Sequence, residues 1–303
     1  MRTGLVRQTG RLVTNGDTPV SSPSPTVRRK RLGIELRRLR EQAGLTCEEV
    51  GEQLECSGTR ISRIETGRIG VRPGDVREML ELYDVTEDEV GALAQLAREA
   101  RRKGWWHDYG PVYPDWFEAY IGLETEASRL RDFQPLVLPG LLQTEDYARA
   151  VLRGAPDAGS TGATDRQVAL RMGRQAILTQ PAPPELWVVL SESALRAQIG
   201  GPAVLRAQLR RLIEVARRPN VALQVLPSRA AAHADPVGPF TILDFPEAAD
   251  PTVVYLEHLT GSRFLESGDE IWRYTVVFDH LRAGALGTAE SVDLIARLAA
   301  GLS

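Results

Sequence analysis

Between Ser57 and Arg68 the chain crowds together hydroxyl and guanidinium groups: Ser57, Thr59, Arg60, Ser62, Arg63 and Arg68. A hydroxyl donates and accepts single hydrogen bonds, and a guanidinium offers a planar fork of donors to carboxylate, phosphate or a flat polar edge. No nucleophile and base stand paired among them, so the chemistry on offer is recognition rather than bond making. Ile61 and Ile64 fix the geometry. Three residues apart, they form the buried edge of a helix, and Gly58, Thr59, Ser62 and Arg63 then fall on or near the opposite face, with Arg60 at its flank. Ser57 is a residue type that caps a helix, and the free N–H groups and dipole of a helix start favour phosphate.

Other chemistries find little support. The chain has no GxSxG, no HExxH, no phosphate-binding Gly-Lys loop and no GxGxxG. His107, His233, His258 and His280 are scattered without ligand spacing, and Cys47 and Cys56 have no second pair to make a zinc site, so no metal and no cofactor is expected. Glu257 and His258 point to opposite faces if they lie on one strand, which weakens an acid–base pair built on them with His233 and Asp235. Forty-three per cent hydrophobic and 25% charged residues in 303 describe an ordinary globular chain with room for two cores. No run of about 18 apolar residues occurs, and no signal-peptide pattern opens the chain, so a cytoplasmic location with free thiols is expected.

The elements that must hold the Ser57–Arg68 groups are legible around them. Leu32, Leu36, Leu39 and Ala43 recur at helical spacing, and Gly44 stops that helix. Thr46 and Glu49 form a capping box for a second, short helix whose inward residues are Val50 and Leu54. Gly51 between them removes a side chain where two helices must pack closely. A tight turn then leads to the helix begun by Ser57. Two further stripes, Val76, Met79, Leu80, Tyr83 and Val90, Leu93, Ala94, Ala97, complete five helices. Two short helices crossing through a tight turn suit the second to the major groove of double-stranded DNA, with side chains at its start reaching base edges and flanking cations reaching phosphates.

The segment ISRIETG after a Ser-initiated turn resembles the third helix of Xre-type regulators, which share the five-helix lambda-repressor-like fold. The resemblance implies an ion pair between Arg40 and Glu65, which occupy the places of a helix 1 arginine and the glutamate closing helix 3. Two positions depart from the family. Glu55 stands where the turn usually has Gly, which implies strain or an altered turn. Gly58 stands where many relatives carry a long polar base reader, leaving Thr59 and Arg63 as base readers, with Arg63 expected on guanine or a phosphate and Arg60 and Arg68 as phosphate anchors.

Charge divides unevenly. Residues 1–31 carry seven basic groups and one acid, residues 32–103 carry twelve and fifteen, and residues 104–303 carry eighteen and twenty-four. DNA contact must therefore rest on a local surface rather than on overall basicity. The first segment, rich in Pro, Ser and Thr, reads as disordered and ends in Arg28, Arg29, Lys30 and Arg31; it is either a solvated tail or an arm touching phosphates. The domains expected are this arm (1–31), a helix-turn-helix domain (32–103) and a mixed α/β domain (104–303).

That last domain opens with Trp105, Trp106, Tyr109, Tyr113 and Trp116, followed by Phe117 and Tyr120. Without interleaved cations they read as packing, or as a ligand or partner surface. Residues 124–133, 141–152, 165–178, 192–199, 204–217 and 291–298 read as helices. Residues 186–190, 221–226, 240–245, 252–257 and 272–278 read as a sheet of about five strands, the late ones antiparallel.

VLPGLLQTEDYARAVL, RMGRQAIL, SESALR, QLRRLIEVARRPNVALQVLP, GPFTILDF and VVYLEH resemble the C-terminal domain of an actinobacterial regulator family described as antitoxin-like. The resemblance implies a transcriptional regulator often encoded beside a small partner protein, and leaves the domain's chemistry unassigned. Control by a small-molecule effector is the other reading of that domain, and an antitoxin-like factor that neutralises its partner and represses their promoter is the alternative function. Two-fold operators imply a homodimer joined through the C-terminal domain.

Overall fold

The computed structural model describes residues 25–67, 69–101, 104–110, 112–155, 160–230, 238–247 and 250–302. Its first five helices are α1 (Pro25–Gln42), α2 (Cys47–Gln53), α3 (Gly58–Glu65), α4 (Pro73–Leu82) and α5 (Glu87–Glu99). Leu32, Leu36, Leu39, Val50, Ile61, Ile64, Val76, Met79, Leu80, Tyr83, Val90 and Ala97 close on one another as a single core. Each fully buried aliphatic side chain there contributes about 1.5–3 kcal/mol. Ala43 is the exception to the expected stripe: α1 ends at Gln42, Gly44 takes a φ of 71°, and Ala43 is exposed.

The helix begins earlier than the apolar period suggests. Residues 25–31, expected as the end of a disordered arm, form the opening turns of α1, and Arg28 is buried with its Nε 3.3 Å from Glu99 on α5. A cationic run gains order here because acidic partners wait on two sides of it. The expectation for residues 1–24 lies outside the described residues.

The second domain is built from α6 (Asp115–Glu126), β1 (Arg129–Gln134), α7 (Glu145–Arg153), α8 (Thr161–Arg174), β2 (Glu185–Ser191), α9 (Glu192–Arg196), α10 (Pro202–Val215), β3 (Val221–Leu226), β4 (Phe240–Asp244), β5 (Val253–His258), β6 (Gly261–Leu265), α11 (Gly268–Gly284) and α12 (Thr288–Ala300). The sheet has six strands in the order β3-β2-β1-β4-β5-β6. β1, β2 and β3 run parallel, whereas β4 is antiparallel to β1, β5 to β4 and β6 to β5. One face carries the larger core with Leu130, Val188, Leu190, Leu223 and Tyr255, packed under helices that include α6, α10 and α12. The opposite face, with Phe133, Val189, Ile242 and Val254, is covered by α11.

Two expected elements change type. Residues 129–133 were expected within a helix over 124–133, but α6 stops at Glu126 and β1 begins at Arg129. The period of two was masked because Asp132, a charged residue, occupies a buried position beside Leu130. Residues 272–278, β-branched and aromatic, were expected as a strand and lie instead within α11. Ile271, Tyr274, Val277, Phe278 and Leu281 contact the sheet at helical spacing, so packing overrides residue preference. β6 supplies the sixth strand; its sequence GSRFL lacks the Val and Leu content that marked the others.

Candidate nucleic-acid interface

Thr46 accepts a hydrogen bond at Oγ1 from the Glu49 amide (3.2 Å), and the Thr46 amide donates to Glu49 Oε2 (2.7 Å), which fixes the start of α2. The following turn is closed by the Cys56 amide donating to the Gly51 carbonyl at 2.7 Å. A Cβ on Gly51 would lie 2.7 Å from that Cys56 carbonyl and 2.9 Å from the Gly58 nitrogen, so the turn requires glycine there. Glu55 takes a φ of 51°, the left-handed region where a side chain costs about 1–2 kcal/mol. Strain at this position is the local price of a turn without glycine.

Ser57 caps α3, its Oγ accepting from the Arg60 amide at 3.3 Å. Ile61 and Ile64 are buried, whereas Ser57, Thr59, Arg60, Ser62 and Arg63 are exposed. Gly58 belongs to a different contact. A Cβ at this position would sit 2.9 Å from Glu48 Oε1 and 3.0 Å from the Glu48 nitrogen, so residue 58 faces α2 and not outward with Thr59. The expectation that placed it on the outer face is corrected by that close approach. Arg68 lies outside the described residues.

The two arginines of α3 are not equivalent. Arg60 Nη2 donates to Asp75 Oδ2 on α4 at 2.8 Å. Arg63 has no ionic partner among the described residues. Exposed Glu48, Glu49, Glu52 and Glu55 line the neighbouring α2 and its turn. Any polyanion seated on α3 therefore meets cations from α3 beside an acidic rim.

Behind this surface Arg40 Nε and Nη2 donate to Glu65 Oε1 and Oε2 at 2.6 and 2.9 Å, and Nη1 donates to the Leu45 carbonyl at 2.6 Å. The bonds to Glu65 hold the Arg40 guanidinium above its usual pKa, burial opposing them. One buried fork thus joins α1, the start of the α2 turn and the end of α3.

Residues 117–297 match the family model described as Domain of unknown function (DUF5753), more than half of the chain. The chain belongs to the DUF5753 family. Residues 31–93 of this DUF5753 protein match the model for a helix-turn-helix domain. Neither the curated proteins nor the solved structures yielded a match to the chain.

The aromatic segment at the entry to the DUF5753 domain packs inward. Trp106 is buried, and Trp105 meets Trp106 and Tyr109 edge-on at 6.0 Å. Tyr109 and Trp105 close over Gly173 of α8, where a Cβ would lie 2.7 Å from Tyr109 Oη. Tyr113 Oη donates to the Gln167 carbonyl at 3.3 Å, and Trp116 meets Phe117 edge-on. Trp105, Tyr109, Tyr113 and Trp116 keep partial exposure, but their rings are spent on the domain core rather than on an open platform.

Sequence reasoning missed the charges buried beneath them. Arg174 Nε and Nη2 donate to Glu124 Oε2 and Oε1 at 2.8 and 2.6 Å, and its guanidinium lies 5.1 Å from the Phe117 ring centre and 5.4 Å from that of Tyr120. Burial by itself would lower the Arg174 pKa, but the Glu124 charge outweighs it and the value rises. Asp132 is also buried. Loss of solvent pushes its carboxyl up to about 6, although Gln134 and Thr241 donate to Oδ1 at 2.9 and 3.2 Å. Pairs 50 and 109 residues apart in sequence leave no local signal.

His258 is exposed, with Nδ1 3.3 Å from Thr260 Oγ1, and Glu257 accepts from Tyr255 Oη at 3.1 Å. His233 and Asp235 lie outside the described residues. Among the described residues no three metal-ligating side chains come together, and no helix is long and apolar enough to cross a membrane.

Proposed function

We propose that this protein is a sequence-specific, DNA-binding transcriptional regulator that seats α3 in the major groove. The observation that carries this reading is the outer face of α3, where Thr59, Ser62 and the ionically unpaired Arg63 stand exposed on a helix locked from behind by Arg40 and Glu65. Major-groove edges offer guanine O6 and N7 to such an arginine as a bidentate acceptor, and Thr59 suits an adjacent base or a thymine methyl. Arg60 and Arg68 serve as phosphate anchors in this reading. Because Arg60 begins paired with Asp75, it must exchange a carboxylate for a phosphate on binding.

The DUF5753 domain is the controlling element, acting through a small partner protein or a ligand, and a homodimer presents two copies of α3 to a two-fold site. α11, which covers one sheet face, displays Trp272 at 66% exposure and supports the C-terminal domain as the dimerising unit. Selection of duplexes from a random pool by the full chain, followed by anisotropy on the enriched sequence, tests the reading. Arg63→Ala should lose about 1–3 kcal/mol of discrimination at one base pair. Absence of any enriched sequence, or an equal loss for every duplex, counts against major-groove readout by Arg63.

A further inference from the structure

The last turn of α3 rests on α1 at two glycines, one with no room for a side chain and one where a side chain would be strained. A Cβ on Gly33 would lie 2.4 Å from the Glu65 carbonyl and 2.7 Å from that of Ile64. Gly67, with a φ of 66°, ends α3, and a Cβ there would lie 3.0 Å from the Lys30 Cα. Backbone therefore meets backbone, and a displacement of α1 at Lys30 carries the end of α3 with it.

The Lys30 side chain reaches the second domain. Its Nζ is 2.7 Å from Glu266 Oε1, with the lysine side chain 14% exposed and the glutamate 44%. Glu266 is the residue between β6 and Ser267, the N-cap of α11. Asp250 adds a second negative charge near the amine, while burial presses the lysine pKa down. Around them Arg31 and Ile34 face Leu123, Phe245 and Pro251 across a void of about 10 Å³, room for one water at most. One turn earlier, Arg28 is tied to Glu99 of α5. The cationic run is thus held from both domains, and Lys30 is the member whose backbone supports α3 and whose charge answers to the DUF5753 domain.

We infer that Lys30 is a positioning residue for DNA recognition: through its ion pair with Glu266, the junction between β6 and α11 sets the seat of the α3 C-terminal turn. The inference rests on the reading of α3 as the DNA-contacting helix. Any event that moves the β6–α11 junction then changes the fit of α3 to DNA without touching it. Of the run read either as a solvated tail or as an arm touching phosphates, Arg28 pairs within the first domain and Lys30 reaches the second.

The test uses the full chain with Glu266→Gln, Lys30→Met, the double variant and Lys30→Arg. Two measurements are made: amide hydrogen exchange over residues 64–69 against that over α2 and α4, and anisotropy on the selected duplex. Glu266→Gln and Lys30→Met should each speed exchange at residues 64–69 about 3- to 10-fold, leave α2 and α4 unchanged, and weaken binding by a similar factor. The double variant should be no worse than Lys30→Met alone, as expected of groups acting through one another, and Lys30→Arg should retain both properties. Additive effects, a uniform rise in exchange over the whole domain, or no change at residues 64–69 would overturn the inference. Should the wild type bind no duplex while the exchange pattern follows expectation, the DNA reading fails and the linkage stands.

Discussion

Replacing Arg40 with alanine removes three hydrogen bonds at once and leaves the Glu65 carboxylate without its partner. The Glu65 side chain is 3% exposed, so water cannot take over the lost bonds. Breaking one side of a buried ion pair costs about 3–5 kcal/mol. Domains of this size hold only about 5–15 kcal/mol in total, and each lost kcal/mol lowers the melting temperature by about 4–8 °C. Arg40→Ala should therefore lower the first-domain transition by about 12 °C or more and leave a substantial unfolded fraction at 37 °C. Circular dichroism on heating, with urea titration at 25 °C, measures it. The paired change Arg40→Met with Glu65→Leu, which buries no charge, should recover much of the loss. A melting curve for Arg40→Ala within about 2 °C of wild type would refute the reasoning, because the fork would then be decorating a helix packing that stands without it.

Asp75→Asn removes the carboxylate that holds Arg60; DNA affinity at low salt should rise about 2- to 5-fold, measured by anisotropy, since an exposed pair of this kind is worth at most about 1 kcal/mol. Gly33→Ala forces a methyl onto two carbonyls of α3, and urea titration should show a loss near the upper end of about 1–3 kcal/mol for overpacking. Asp132 has a folded-state pKa above its unfolded one, so folding is favoured by the protonated acid at low pH and that contribution fades as pH rises through about 6. Asp132→Asn should therefore be more stable than wild type at pH 8, by up to about 3 kcal/mol, with the difference shrinking toward pH 4 in parallel urea titrations. An equal difference at both pH values counts against a buried, raised carboxyl.

The helix-turn-helix unit was legible because each of its signals is local. Thr46 with Glu49, Ser57 before Ile61 and Ile64, and Gly44 after the α1 stripe all act within a few residues, and the structure keeps them. Arg40 and Glu65 were reached only through resemblance, since nothing local links residues 25 apart. In the second domain the strands at 186–190, 221–226, 240–245 and 252–257 were readable from their Val and Leu content, whereas Asp132 hid β1. The aromatic and β-branched run of α11 gave the wrong period because only its contacts with the sheet reveal which side is buried. The outer face of α3 was largely foreseen. Gly58 was misplaced because its neighbour, Glu48, lies ten residues back on another helix, and Asp75 was missed because α4 returns to Arg60 from outside the motif.

Strand order has a consequence for how the chain assembles as it is made. β1 sits between β2 and β4, so its second edge stays open until Asp244 has emerged, and the pairing of β6 completes the sheet only near Leu265. The helical unit has all its core residues by Ala97 and can fold far sooner. At about 5–20 residues per second, roughly 10–30 s separate the two events on the ribosome. During that interval Lys30 has no Glu266 to meet. A nascent chain thus passes through a stage with α3 formed and the acidic partner of Lys30 missing, and docking of the finished sheet is the late step that brings the two halves into register.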